Sequence, residues 1–574
     1  MVMGNEPVEL RRITKKEKFG NVEFETIYRQ ARRPSTTARG FAFCPPFNQR
    51  TIIPEPGIVC EQDVPVKMRD GITIYTDIYR PIGQLNLPVI ICWSFFGKRP
   101  GDTEVEWQLM GVPPGAVSRM SKFEAADPGF WCHQGYAVAN VDPRGVGHSE
   151  GDINMFGTQD GRDGYDFIEW LAVQHWCNGK IGMFGNSGVA MPQWRIAAEQ
   201  PPHLACIAPW EGTGDLYRES YFEGGIPGAF GGGVLGGLTG LGYVDDAVAM
   251  AEKYPFINEY WEDKIPKWEN IKCPCYTTVC WQHFHARGSA EGFRRIRSAK
   301  KWLRAHRDFE WPDTYSTFGL QDLKLFYDRY LKDIRNGWEL TPRVRIDIMD
   351  FWECNFQENR PEKEFPLART QYRKLYLDAS KGALSYEPVD KAAKVSYDSA
   401  KGQVTFDIKF EEDTEVTGYI KARLWVEAES HNEMDIFTTV QKLDAEGKEI
   451  STSALGEPHP GAWGKIRASR RELDPKWSTD FQPVQAHRKD EKLKKGEIVA
   501  VDIEFYPYSR MWHKGEQLRL RLAGRYIREN WFEHLAWSAD NKGNHIIHAG
   551  GKYDSFLQIP FIPPKYQAGD YVYR

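Results

Sequence analysis

The stretch Lys180-Ile-Gly-Met-Phe-Gly-Asn-Ser187-Gly-Val-Ala190-Met-Pro-Gln-Trp194 constrains the fold more than any other part of this 574-residue chain. An apolar strand runs into a Gly-Asn-Ser-Gly turn and then into helix-forming sequence. A serine bracketed by small residues between strand and helix has the pattern of a nucleophile elbow. The turn is strained, so its neighbours must clear both the sheet and the helix. The N–H of Gly188 then faces the place where an oxyanion would form. The second glycine usual in such a motif is replaced by Val189, and the small residue comes one step later, at Ala190. Read alone, the serine also fits a plain helix N-cap.

The surrounding periodicity gives the setting of this turn. Residues 88–93 (Pro-Val-Ile-Ile-Cys-Trp) and 136–142 are continuous apolar runs, as in strands buried on both faces of a parallel sheet. Residues 163–174 and 193–199 read as helices, and 205–209, 275–281 and 301–305 as further strands. Strands alternating with helices give right-handed βαβ units and an α/β domain. The helical segments 245–267 and 320–331 complete this half, and the glycine-rich run 224–242 lacks the lysine of a phosphate loop. From about residue 345 the pattern becomes all-β, with strands expected at 403–410, 414–427, 437–442, 498–506 and 517–523. These suggest a sandwich or jelly roll. The expected organisation is an N-terminal arm (1–57), an α/β domain (58–212 and 271–345), a helical cap (213–270) and a C-terminal β domain (346–574). The arm reads as extended over the body or partly disordered.

Composition narrows the function classes. A net charge of −5 leaves no broad basic face for nucleic acid. No run of about 20 apolar residues is present to span a membrane, and the charged start lacks a signal-peptide core. The ten cysteines are too sparse for a disulfide framework. They read as reduced thiols, which fits a cytoplasmic protein. Cys273 and Cys275 have no partnering Cys/His pair of zinc-site form, so no metal is expected. The 20 Trp, 26 Tyr and 31 Phe fit large core residues, or an aromatic-lined pocket for an organic ligand.

Further motifs carry a family resemblance. They are Val141-Asp-Pro-Arg-Gly-Val-Gly-His-Ser-Glu-Gly151, Trp176-Cys-Asn-Gly-Lys180 leading into the elbow, Gln200-Pro-Pro-His-Leu204, Pro209-Trp-Glu-Gly212, Glu291-Gly-Phe293, Gly464-Lys-Ile-Arg-Ala-Ser-Arg470 and Gly550-Gly-Lys-Tyr-Asp-Ser555. Together they resemble the cocaine-esterase/X-prolyl dipeptidyl-peptidase (CocE/NonD) family of serine hydrolases. The resemblance implies an α/β-hydrolase domain with a helical cap and a C-terminal jelly roll, cleaving esters or amides through an acyl-serine. It implies no cofactor, and a small-molecule substrate as partner. Extended arms and jelly rolls often mediate dimers, so a homodimer is also an expectation.

The chain departs from the family at three places. Phe96, in Ser94-Phe95-Phe96-Gly97, falls where the family's tyrosine oxyanion donor would sit. The loop where the family has its Asp reads Trp281-Gln-His283-Phe-His285, without a carboxylate until Glu291. The loop where the family has its His reads His306-Arg-Asp308-Phe-Glu310. Three arrangements follow. His306 is the base, oriented by Asp308 or Glu310; or His283 or His285 is the base, with the carboxylate from the other loop; or the triad is broken. Phe95, Phe96, Trp210, Glu211 and Trp281 are the candidate substrate contacts, and Gly188 the oxyanion donor. The leading reading is a serine hydrolase acting on a small, partly apolar ester or amide through Ser187. The alternatives are non-hydrolytic acid/base chemistry in the same pocket (lyase, isomerase or cyclase) and an inactive binding protein.

Overall fold

The computed structural model describes residues 11–36, 43–99, 104–228, 238–527 and 537–564. Its central sheet includes β1 (Ile58–Lys67), β2 (Thr73–Pro81), β3 (Leu87–Trp93), β4 (Ala137–Asp142), β5 (Cys177–Asn186), β6 (Leu204–Trp210), β7 (Cys275–Cys280), β8 (Lys301–His306) and β9 (Val344–Phe351), with Arg50–Glu55 and Cys354–Glu362 added antiparallel at β1 and β9. They lie in the order β1-β2-β4-β3-β5-β6-β7-β8-β9. Pairing is antiparallel from β1 to β4 and parallel from β4 to β9. Strand β3 is apolar throughout because all seven of its residues are buried. Helices cover both faces, so no residue of that strand has a wet side to present.

Helices α1 (Thr158–Ala172) and α2 (Ser187–Ala198) bury Phe167, Leu171, Trp194 and Ile196 against one face, around Trp93. Helix α4 (Thr317–Leu331) buries Phe326, Tyr327 and Leu331 on the other, with Trp131, Tyr136 and Trp338. Helix α3 (Ala286–Arg295) lies between β7 and β8. Among the described residues no helix is long and apolar enough to cross a membrane.

The C-terminal part is all-β. Gln403–Lys409, Gln517–Ala523, Asp435–Leu443 and Ala462–Arg467 form one antiparallel ladder. Val499–Glu504, Lys421–Ala428, Phe556–Phe561 and Gln371–Asp378 form another. Period-two patterning explains both. Leu518, Leu520 and Leu522 point inward while Arg519 and Arg521 do not, and Ala422, Leu424, Val426 and Ala428 alternate with half-exposed residues. Both inner rows meet in one core, as in a sandwich.

Two expectations need correction. The N-terminal arm contains a hairpin, Arg12–Phe19 with Val22–Gln30, and Tyr243–Asp245 of the cap adds a third strand. Residues 1–10 and 37–42 of that arm, and 229–237 of the glycine-rich run, lie outside the described residues. The segment 245–267 is two short helices, Ala247–Lys253 and Glu259–Asp263, capped by Asp246 and Asn258, with Pro255 between them.

The loop after β3 carries Phe95 and Phe96 and is held by buried charge. Lys98 Nζ lies 2.6 Å from Asp142 and 3.1 Å from Asp63, while Arg99 lies 2.8 Å from Asp63 and 2.5 Å from Asp77. Lys122 Nζ donates to the Gly97 carbonyl at 3.0 Å. Arg144 pairs instead with Asp163 and Asp70. Removing one partner of a buried ion cluster strands the others at low dielectric. The variant Lys98→Met should therefore lose about 3–5 kcal/mol of stability in chemical denaturation. A loss below about 1 kcal/mol would show that this cluster does not hold the loop.

Candidate active site

Strand β5 ends at Asn186 and α2 begins at Ser187, with no loop between them. Ser187 has φ 44°, in the left-handed region that a side chain rarely adopts. A Cβ on Gly185 would lie 2.3 Å from Val189 Cγ1, and one on Gly188 would lie 2.8 Å from the rings of Phe95 and Phe96. The small residues of the motif are therefore steric requirements. The elbow is also bonded on both sides: Asn186 N–H donates to the Glu124 carbonyl at 3.0 Å, and Ser187 N–H to the Glu211 carbonyl at 3.1 Å.

Ser187 Oγ lies 2.8 Å from His285 Nε2. The other ring nitrogen, Nδ1, lies 2.7 Å from Thr213 Oγ1. With Nδ1–H donating to the threonine, Nε2 is free to accept the serine proton. Burial pushes His285 down to about 3, so the imidazole is neutral at ordinary pH.

The other two histidines are turned elsewhere. His306 Nδ1 donates to the Asp308 carbonyl at 2.9 Å, and Nε2 lies 3.0 Å from Glu211 and 3.5 Å from Asp313. Burial opposes charge on His306, but Asp313 and Glu211 outweigh it and raise its pKa. His306 is thus an ion-pair partner of Glu211, and the expectation that it serves as base to Ser187 is corrected. Asp308 is corrected too: its side chain is 54% exposed and pairs with Arg307 at 2.6 Å.

His283 accepts the His285 backbone N–H at Nδ1, 3.2 Å away, so its proton sits on Nε2, 3.3 Å from Glu310. Donor atoms of Glu211, His283 and Glu310 lie within 4.8 Å of one another, a spacing suited to metal ligands. The tautomer argues against that use. One nitrogen of His283 is an acceptor already engaged and the other carries a proton, leaving two carboxylates. Proton sharing explains the cluster better. Glu310 is raised well above its usual range by burial and then by the charges of Glu124 and Glu211. Burial raises Glu211 as well.

Of the expected substrate contacts, Phe95 and Phe96 stand against Gly188, with ring centroids 4.3 Å apart. Trp210 and Trp281 are instead packed in hydrophobic cores. Trp210 packs on Phe184 and Tyr276 in the core under the sheet. Trp281 donates to the Asp347 carbonyl at 2.9 Å and joins the C-terminal core. Three residues were not anticipated: Thr213, Glu124 and Trp311. Glu124 Oε2 accepts the Gly188 N–H at 3.0 Å, and Trp311 Nε1 lies 3.3 Å from Glu124 Oε1. Burial pushes Glu124 up to about 8. No motif marks Thr213 or Glu124, since each acts as a single side chain arriving from a loop.

The raised Glu310 carboxyl has a measurable sign. The folded chain keeps this proton at pH values where the unfolded chain, with an ordinary value of 4.5, releases it. Wild-type stability therefore falls as pH rises above that value, and Gln escapes the penalty while preserving the acceptor to His283. The advantage in Tm of Glu310→Gln over wild type should widen between about pH 5 and about pH 8. A difference independent of pH would contradict the assignment.

Comparisons with known proteins bear on the family and the fold. A family profile described as X-Pro dipeptidyl-peptidase (S15 family) matches residues 70–240, and one described as X-Pro dipeptidyl-peptidase C-terminal non-catalytic domain matches 336–558. A cocaine esterase of Rhodococcus is 25% identical over 384 residues, covering 56% of this chain and 62% of its own. A putative serine esterase of Mycobacterium bovis is 30% identical over 169 residues, 29% of this chain and 26% of its own. The matches thus span under two thirds of these relatives' lengths. A solved CocE/NonD family hydrolase from Staphylococcus aureus is 34% identical, with a TM-score of 0.84, over 88% of this chain and 94% of that one. An α-amino acid ester hydrolase, 15% identical with a TM-score of 0.67 over 90% of this chain and 99% of its own, shares the fold. On the strength of the 34% identity across nearly the whole staphylococcal hydrolase, this chain belongs to the CocE/NonD family of hydrolases.

Proposed function

We propose that the protein hydrolyses an ester or amide of a small, partly apolar substrate through an acyl-Ser187 intermediate. The observation that carries this reading is the 2.8 Å approach of Ser187 Oγ to His285 Nε2 at a strained strand-to-helix turn. Ser187 Oγ attacks the substrate carbonyl while His285 Nε2 takes its proton. The Gly188 N–H donates to the oxyanion. As the intermediate collapses, His285 returns the proton to the departing alcohol or amine. Water then enters by the same route, with His285 again as base, and releases the acid.

Thr213 orients the imidazole by accepting from Nδ1–H, the place a carboxylate takes in the better-known triads. A hydroxyl stabilises the imidazolium less than a carboxylate, so acylation is slower for the same geometry. Phe96 cannot donate to an oxyanion, and its ring with Phe95, Phe123 and Trp311 forms an aromatic wall beside Gly188. That wall supports an apolar acyl or leaving group. All ten cysteines are free thiols, which supports a reducing, cytoplasmic location.

Fluorophosphonate labelling tests the reading. Wild type should be labelled and Ser187→Ala should not, while His285→Ala should lower kcat/KM on an activated ester by about 10²–10⁴. Because burial holds His285 near 3, the base stays deprotonated as pH falls through the usual histidine range. Activity should persist down to about pH 5. Labelling that survives Ser187→Ala, or an acid limb at the ordinary histidine value of 6.5, would overturn the assignment.

A further inference from the structure

The mechanism needs the Gly188 N–H, and in this structure that donor is engaged. Glu124 Oε2 accepts it at 3.0 Å. The carboxyl is held there from several directions. Its other oxygen lies 3.3 Å from Trp311 Nε1, and its own backbone, at φ 61°, accepts the Asn186 N–H. The residue is 2% exposed, so the carboxyl is buried against these partners. The position is also the start of α2, where backbone N–H groups have no partner within the helix and take an acceptor oxygen from outside it.

One N–H directed at a carboxyl oxygen is not available to a second acceptor in the same place. Glu124 and a substrate oxyanion therefore compete for the same donor. Phe96 offers no alternative, since a phenyl ring cannot donate. Resting on the serine-hydrolase reading above, we propose that Glu124 gates the oxyanion position: its carboxyl is the resting occupant, and acylation requires the substrate oxygen to displace it from Gly188. Glu124 is then a specificity-determining residue. Substrates that bind the aromatic wall well enough to displace the carboxyl react, and weaker ones do not. No bond is made to Glu124, and no proton needs to leave it.

The test is the second-order rate at which a fluorophosphonate modifies Ser187 in wild type, Glu124→Gln and Glu124→Ala, with thermal unfolding recorded for each. Ala vacates the position and should react about tenfold faster or more, since one oxyanion donor is typically worth about 10²–10³ in rate. Gln keeps an acceptor oxygen in the same place and should fall between Ala and wild type. A Ser187-dependent wild-type rate that is unchanged or slower in a folded Ala variant overturns the gate alone. No modification of either protein overturns the serine reading, and this one with it. Should Ala fail to fold, the crystal structure of phosphonylated wild type decides. The gate predicts a phosphoryl oxygen on the Gly188 N–H with the Glu124 carboxyl moved away. Glu124 still bonded to Gly188 in the adduct overturns it.

Discussion

Ser187 is held at φ 44°, and much of the surrounding structure serves that one backbone constraint. A left-handed conformation at a non-glycine residue costs on the order of 1–3 kcal/mol and persists only when its surroundings over-determine it. Here the determinants can be named. Gly185 and Gly188 leave room for Val189 and for the rings of Phe95 and Phe96. The carbonyls of Glu124 and Glu211 take the N–H groups of Asn186 and Ser187. Glu124 and Glu211 themselves have φ 61° and 57°, so three neighbouring loops share the strain. The buried Lys98–Asp142–Asp63 cluster fixes the loop that brings the two phenylalanines to the elbow.

What the constraint achieves is a serine hydroxyl beside a neutral imidazole. Three histidines lie close to one another, and each has a different role because of what its second ring nitrogen touches. Thr213 on Nδ1 of His285 leaves Nε2 facing the serine. The Asp308 carbonyl on Nδ1 of His306 leaves Nε2 facing Glu211. The His285 backbone on Nδ1 of His283 leaves its proton facing Glu310. Burial raises the carboxyls of Glu124, Glu211 and Glu310 alike, and the charges of Glu124 and Glu211 raise Glu310 further. Protons are thereby held close to Ser187, and burial keeps the His285 imidazole uncharged.

The fold was legible because its signals are long and periodic. Strand β3 reads as a buried strand on composition alone, and the elbow combines that signal with small residues that only a tight turn requires. The N-terminal hairpin was missed although its signal was present. Gly20-Asn21 is a two-residue turn, and Phe24, Thr26 and Tyr28 alternate beyond it. The charged residues between them masked the pattern. The site was half legible. Both loops that replace the family's acid and base were visible, but which histidine meets Ser187 depends on ring orientation, and that is set by contacts with Thr213 and the Asp308 carbonyl. Trp210 and Trp281 were misplaced for a related reason. They follow sheet strands at the right end, yet their side chains turn into the cores. Glu124 reaches Gly188 from a segment, Ser121-Lys-Phe-Glu124-Ala-Ala-Asp127, that has no chemical signature.

The central claim is that Ser187, activated by His285, carries the acyl group. Rapid mixing with an activated p-nitrophenyl ester, quenched before the steady state and followed by peptide mass spectrometry, addresses it most directly. An acyl-enzyme mechanism gives a burst of nitrophenol matched by an acyl group on the peptide that contains Ser187. Turnover without a burst can reflect slow acylation, which leaves little acyl-enzyme to trap, so the same measurement on Ser187→Ala, where turnover should be lost, then decides. An acyl group on another residue, or steady turnover of the ester that survives Ser187→Ala, would contradict the account.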